Sequence, residues 1–218
     1  MSDPPDPRLS RRAFLRAGVG ATALGLAGCG GRERGAEFEE GFEDGIGDWE
    51  SAAAIGPEVP LSGFDWSTGV TDDQAASGQR SLALFTEGDH DDGTAWATHS
   101  VPVPADGRYQ ATVTASFWSE SESFNILRNA VMRLGTDPPE SEADFPDPGM
   151  NTTALGEVPY GGLREPLHLA EGWHEYRFEW TTPPLSTDTL SIAAGTSVVW
   201  EADATHYLDD LTVDLSPR

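Results

Sequence analysis

The chain contains no lysine. All 13 of its basic residues are arginine, and they stand against 37 aspartates and glutamates in 218 residues, a formal net charge of −24. A field of that sign repels nucleic-acid phosphates and anionic lipid headgroups, so neither is expected as a direct partner. Cysteine is almost absent. Cys29 stands alone, which excludes an internal disulfide framework and any cysteine-built metal cluster. No apolar run reaches the roughly 20 residues that a membrane-spanning helix needs; the weakly apolar stretch Ala17 to Ala27 is 11 residues long and rich in glycine. Catalytic signatures are missing as well. There is no Gly-x-Ser-x-Gly elbow and no phosphate-cradling glycine loop, and His174-Glu175 lacks the second histidine of a zinc-protease helix. His90, His99, His168, His174 and His206 are scattered without spaced partners, and paired carboxylates diagnose nothing in so acidic a chain. The expectation is a protein that is not an enzyme.

What is present begins with an address. Ser10-Arg11-Arg12-Ala13-Phe14-Leu15-Arg16 precedes the short apolar stretch, and Leu26-Ala27-Gly28-Cys29 closes it. The paired Arg11 and Arg12 before weak hydrophobicity resemble a twin-arginine leader, which implies export of an already folded protein. Leu-Ala-Gly-Cys resembles a lipoprotein box, which implies that residues 1–28 are removed and Cys29 is lipidated. One acyl or ether chain holds a membrane only marginally, so stable attachment implies two chains on Cys29. The expected place of work is the extracellular face of the cell membrane, reached by the lipid alone. Residues 29–36 form a short linker that spans roughly 25 Å when extended, which keeps the body of the protein, residues 37–218, near the membrane.

The charge balance resembles that of haloarchaeal proteins. In molar salt the Debye length falls to roughly 3 Å, so a carboxylate-dense surface stays hydrated while its self-repulsion is screened.

Within the body the hydrophobic pattern has period two. Tyr109, Ala111, Val113, Ala115 and Phe117 alternate with Gln110, Thr112, Thr114 and Ser116, and Tyr176, Phe178 and Trp180 alternate with Glu175, Arg177 and Glu179. Strands are predicted over residues 37–42, 81–85, 94–103, 108–118, 130–134, 173–180, 189–194, 197–201 and 207–215. Turn dipeptides such as Ser77-Gly78, Asp92-Gly93 and Asp106-Gly107 separate many of them. Residues 135–159, with Pro138, Pro139, Pro146 and Pro148, read as a long loop containing one short helical turn. The acidic runs 89–93 and 137–147 read as solvated turns and loops. About nine strands without an amphipathic helix predict an all-β, antiparallel two-sheet sandwich.

Three segments add a resemblance. Phe42-Glu43-Asp44-Gly45 followed by Trp49, then Ala76-Ser77-Gly78-Gln79-Arg80-Ser81-Leu82-Ala83-Leu84, then Tyr207-Leu208-Asp209-Asp210-Leu211-Thr212-Val213 are similar in order to the galactose-binding-like jelly rolls. Those folds include many carbohydrate-binding modules. The resemblance implies a jelly roll whose first and last strands lie side by side, and a structural calcium that joins them to the turn before the Ser81-Leu82 strand. Glu43 and Asp210 would supply carboxylates, Ser77 and Gly78 turn carbonyls, and Asp209 a further oxygen, the donor type a hard cation takes.

A sugar-binding role rests on aromatics, because a pyranose stacks on an exposed ring with polar groups alongside. Trp96 and Trp118 lie among Thr and Ser on their strand faces, Trp66 and Trp173 are loop residues, and Arg177 and Glu175 point outward on a neighbouring strand. The expected partner is a glycan, with an envelope protein contacted by a structural lipoprotein as the alternative. Solvent exposure of Trp96 and Trp118 separates the two readings. Asn151-Thr152-Thr153 is an N-glycosylation acceptor sequence, so sugar is also a modification to test for at Asn151.

Overall fold

The computed structural model describes residues 35–120, 122–199 and 202–218. The export and lipidation signals at Arg11, Arg12 and Cys29 lie outside the described residues, as do Trp200 and Glu201.

Twelve strands form among the described residues: β1 Ala36–Glu40, β2 Glu50–Ala54, β3 Trp66–Thr71, β4 Ser81–Thr86, β5 Thr94–Pro102, β6 Tyr109–Ser119, β7 Arg128–Gly135, β8 Met150–Asn151, β9 Gly161–Pro166, β10 Gly172–Thr181, β11 Thr189–Val198 and β12 Ala204–Pro217. Every pairing is antiparallel. The first sheet runs β10-β6-β12-β4-β3, with β1 also paired to β12, and the second runs β2-β5-β11-β7-β9-β8. Among the described residues, helical structure is confined to four single 3-10 turns, two of them inside residues 135–159 where one was expected.

The alternation seen in the sequence sets the layers. Ala111, Val113, Ala115 and Phe117 of β6, Phe178 and Trp180 of β10, and Leu82 and Leu84 of β4 meet Ala130, Met132, Leu134, Leu163, Leu190 and Ile192 of the second sheet in one buried core. Trp49 joins it, its indole N–H donating to Glu40. Strand β12 is the spine, pairing with β1, β4 and β6. Its parity changes part-way: Leu208 faces the core, and then Leu211, Val213 and Leu215 do. A bulge between Asp209 and Thr212 inserts the extra residue, with Asp210 at φ 48, and one added residue is what moves a strand's apolar set to the opposite face.

Two expectations change. The strands expected over 189–194 and 197–201 are joined as far as the described residues reach: β11 is continuous from 189 to 198, because Gly195 lets the Trp96 backbone approach where a Cβ would stand 2.6 Å from the Trp96 Cα. Strands β2, β3, β8 and β9 were unexpected. Glu-Ser-Ala-Ala-Ala and Trp-Ser-Thr-Gly-Val-Thr carry too few large apolar residues to show a period, and neighbouring strands supply their order.

Candidate functional site

The outer face of the first sheet is built from the polar half of the alternation. In an antiparallel ladder, residues directly opposite one another share a face. Register sets Trp173 of β10 and Tyr207 of β12 on either side of Trp118 of β6, with Ala83 beyond Tyr207 and Gly69 beyond Ala83. Three aromatics on three adjacent strands thus form a ridge that falls away onto two small residues. Trp118 and Tyr207 meet edge-on, 5.3 Å between ring centroids at 76°. Beside the ridge Glu175 stands opposite Ser116 and Arg177 opposite Thr114, while the Thr114 and Thr212 hydroxyls hydrogen-bond at 2.6 Å. Arg177 donates to Glu179 at 2.6 Å. Burial, and then the negative charges of Asp73 and Glu120, push the Tyr207 phenol up from its ordinary pKa, so it stays an O–H donor.

Of the six residues expected to bind ligand, four meet here: Trp118, Trp173, Glu175 and Arg177. Trp118 is only 7% exposed, so the expectation that it stacks a sugar is corrected, and both tryptophans whose exposure was to separate the two readings are packed; Trp118 buttresses the ridge, and the half-buried Trp173 and Tyr207 are left to present its surface. Trp96 and Trp66 are corrections. Trp96 is 1% exposed on the far face of the second sheet, with Phe145 packed against it at 5.3 Å and 72°. The loop residue that covers it is distant in sequence, so the strand's own pattern of Thr98 and Ser100 looked solvated. Trp66 pairs with Thr86, whose hydroxyl accepts from the buried Arg128, and so lies on the core side of the sheet edge. Tyr207 was missed because its strand's register against β6 is a tertiary property.

The corner expected to hold calcium is assembled. Asp209, fully buried in the bulge, accepts through Oδ2 from the Ala76 and Ser77 backbone N–H groups at 2.8 and 3.1 Å, and through Oδ1 from the Asp210 N–H at 2.8 Å. Glu43 Oε1 accepts from the Gln79 and Arg80 N–H groups at 2.7 and 2.8 Å, and the Ser77 hydroxyl donates to Asp210 at 2.6 Å. Gly78, at φ 63, leaves room for Glu43, whose carboxylate a Cβ there would meet at 2.2 Å. These carboxylates staple the first and last strands to the turn by hydrogen bonds. Among the described residues no three His, Cys, Asp or Glu side chains are grouped to hold a metal ion. The Gln79 and Arg80 N–H groups hold the Glu43 carboxyl below its ordinary pKa, whereas burial raises that of Asp209 against its three N–H donors.

Asn151 is engaged in the fold. Its side-chain N–H groups donate to Glu165 at 3.0 Å and to the Arg177 carbonyl at 2.9 Å, and its Oδ1 accepts from the Thr153 N–H. Attachment of sugar at Nδ2 requires those bonds to open.

No family model matches the chain, and no curated protein matches it. Among solved structures it is similar to the K3 cleaved adhesin domain of Lys-gingipain from Porphyromonas gingivalis, with 12% identity and a TM-score of 0.51 over 82% of this chain and 98% of that one. It is also similar to the CBM22-1 xylan-binding domain of Xyn10C from Paenibacillus barcinonensis, with 13% identity and a TM-score of 0.49 over 86% and 99%. A third similar structure is of carbohydrate-binding modules of the β-sandwich superfamily, with 18% identity and a TM-score of 0.47; the match covers 78% of this chain and 59% of that one. The chain is an antiparallel β-sandwich of jelly-roll type. At these identities the likeness speaks to the fold.

Proposed function

We propose that this jelly roll is a non-catalytic glycan-binding module, exported folded through the leader bearing Arg11 and Arg12 and held at the outer surface of the cell membrane by lipid on Cys29. The observation that carries the binding role is the ridge of Trp173, Trp118 and Tyr207 across three strands of an open sheet face, with Ser116, Glu175 and Arg177 beside it. The C–H face of a pyranose stacks on Trp173 and Tyr207, and the neighbouring hydroxyl, carboxylate and guanidinium bond its hydroxyls. Asp73, Glu120 and Glu175 favour an uncharged sugar at this ridge. Retention on immobilised neutral polysaccharides in molar KCl tests the reading. Trp173→Ala and Tyr207→Ala are each expected to weaken binding about tenfold, since one stacked ring contributes about 0.5–1.5 kcal/mol beyond its buried area. Absence of binding to every glycan tried, with an envelope protein retained instead, replaces this reading with the assembly role.

For the Glu43–Asp210 corner we infer a calcium-strengthened staple, in which Glu43 Oε2 and Asp210 Oδ2, not engaged by the bonds above, join turn carbonyls around the ion. Added calcium then raises the melting temperature of the wild type and not that of Asp210→Ala. An equal response in both removes the ion from the corner.

A further inference from the structure

The outer face of the second sheet is covered by the chain itself. Register aligns Trp96, Gly195, Val131 and Arg164 in one row across β5, β11, β7 and β9, with Arg133 two residues along β7. Residues 136–149, between β7 and β8, lie over this row as a strap of four prolines and five carboxylates. Phe145, 3% exposed, rests on the Trp96 indole. Glu142 pairs with Arg164, the Asp137 carbonyl accepts from Arg133, and Pro146 lies where a Cβ on Gly162 would meet its ring at 3.0 Å. Asp144 gathers the strap into its turn, accepting from the Glu140 and Ser141 N–H groups at 3.0 and 2.8 Å.

The strap fits this face incompletely. Trp96 Nε1, Arg133 Nε, Arg164 Nε and Ser191 Oγ, all on this face, are shut from solvent without a hydrogen-bond partner, and Arg164 as a whole is only 8% exposed. Leaving a buried donor unmet costs about 1–3 kcal/mol, and polar groups in a settled interior are almost always paired. Indole and guanidinium N–H groups can only donate. The face therefore calls for an occupant rich in acceptor oxygens, with a carboxylate for the arginines and a ring for the indole.

We propose that this face is a second ligand site, for a carboxylate-bearing saccharide, which the 136–149 strap closes by placing Phe145 where the sugar ring stacks and Glu142 where its carboxylate pairs. The planar guanidinium fork of Arg164 takes a carboxylate in two parallel hydrogen bonds, and Arg133 neutralises it from the side. The hydroxyls and ring oxygen of the saccharide meet the donors that the strap leaves unmet. An acidic peptide supplies the carboxylate but brings its own backbone N–H groups to a face that already has surplus donors. Closure lowers the apparent affinity by the fraction of molecules with the strap open, so the site responds to whatever lifts the strap.

The test uses the full chain in molar KCl with trigalacturonate as probe. Loosening the strap with Glu142→Gln and Phe145→Ala together is expected to tighten binding at least about tenfold over wild type, the factor for a strap open no more than roughly a tenth of the time. Adding Arg164→Gln is expected to remove that gain, and Trp173→Ala to leave it unchanged. A folded double variant that binds no better than wild type overturns the proposal, as does an equal gain for maltotriose or for triglutamate. A gain lost with Trp173→Ala and kept with Arg164→Gln also overturns it, and assigns the ligand to the ridge on the first sheet. If the double variant does not fold, amide hydrogen exchange in wild type decides: faster exchange over 136–149 with trigalacturonate supports the proposal, and unchanged exchange overturns it.

Discussion

His206 shows what a single buried residue contributes. It lies inside β12 beside Arg128, whose guanidinium donates to Thr86, Glu87 and Ala202 carbonyls where the two sheets meet. Burial, and then the charge of Arg128, lower the His206 pKa from 6.5 to about 4, with the Trp118 backbone opposing. The folded state keeps this histidine neutral while the unfolded chain takes up a proton below 6.5. Stability is therefore untouched above pH 6.5 and is lost as pH falls from 6.5 to 4. The loss is of order 3 kcal/mol for a shift of that size. Denaturant midpoints across that window are expected to fall in wild type and to flatten in His206→Leu; parallel curves refute the assignment. Nothing in the spacing of the five histidines singles out His206, because its burial depends on Arg128, 78 positions away in sequence.

At the scale of elements, the informative feature is how the edge of β10 is closed. An edge strand with free N–H and C=O groups invites pairing with another chain. Here Asn151 donates to the Arg177 carbonyl, Thr152 donates to the Glu179 carbonyl at 3.1 Å, and Thr153 accepts from the Glu179 N–H at 2.8 Å. The tripeptide that reads as a glycosylation acceptor is a plug made of three side chains. Thr153→Val keeps the volume and strands the Glu179 N–H, so a loss of about 1 kcal/mol is expected by denaturant titration, with concentration-dependent oligomers by light scattering. A variant as stable and as monomeric as wild type removes that role. The plug was illegible in sequence because hydroxyls and amides in a proline-rich loop have the same appearance whether they face water or a strand edge. The bulge was half legible: Leu208-Asp209-Asp210-Leu211 breaks the period-two pattern, but only the turn at Ala76 and Ser77 explains why an aspartate lies inside.

The molecule as a whole is governed by its charge. With 37 carboxylates against 13 arginines, self-repulsion opposes the folded state wherever salt does not screen it. Transfer from molar to millimolar KCl is expected to lower the melting temperature by several degrees, since about 1 kcal/mol moves it by roughly 2–4 °C in a domain of this size. Equal melting temperatures in both salts refute the expectation.

The class of fold, its two layers and most of its central strands follow from the amino-acid order alone, because a period-two alternation with no amphipathic helix to cover it buries one face by stacking two sheets. Absence of lysine, a solitary cysteine and the acidic surplus likewise settle the surface character without coordinates. Which tryptophans reach solvent was decided only by the tertiary structure. The cover over Trp96 comes from Phe145, 49 residues on, and the neighbours of Trp118 come from strands 55 and 89 residues away. Exposure is a property of what packs across a face, and a strand's own sequence specifies the face without specifying its cover.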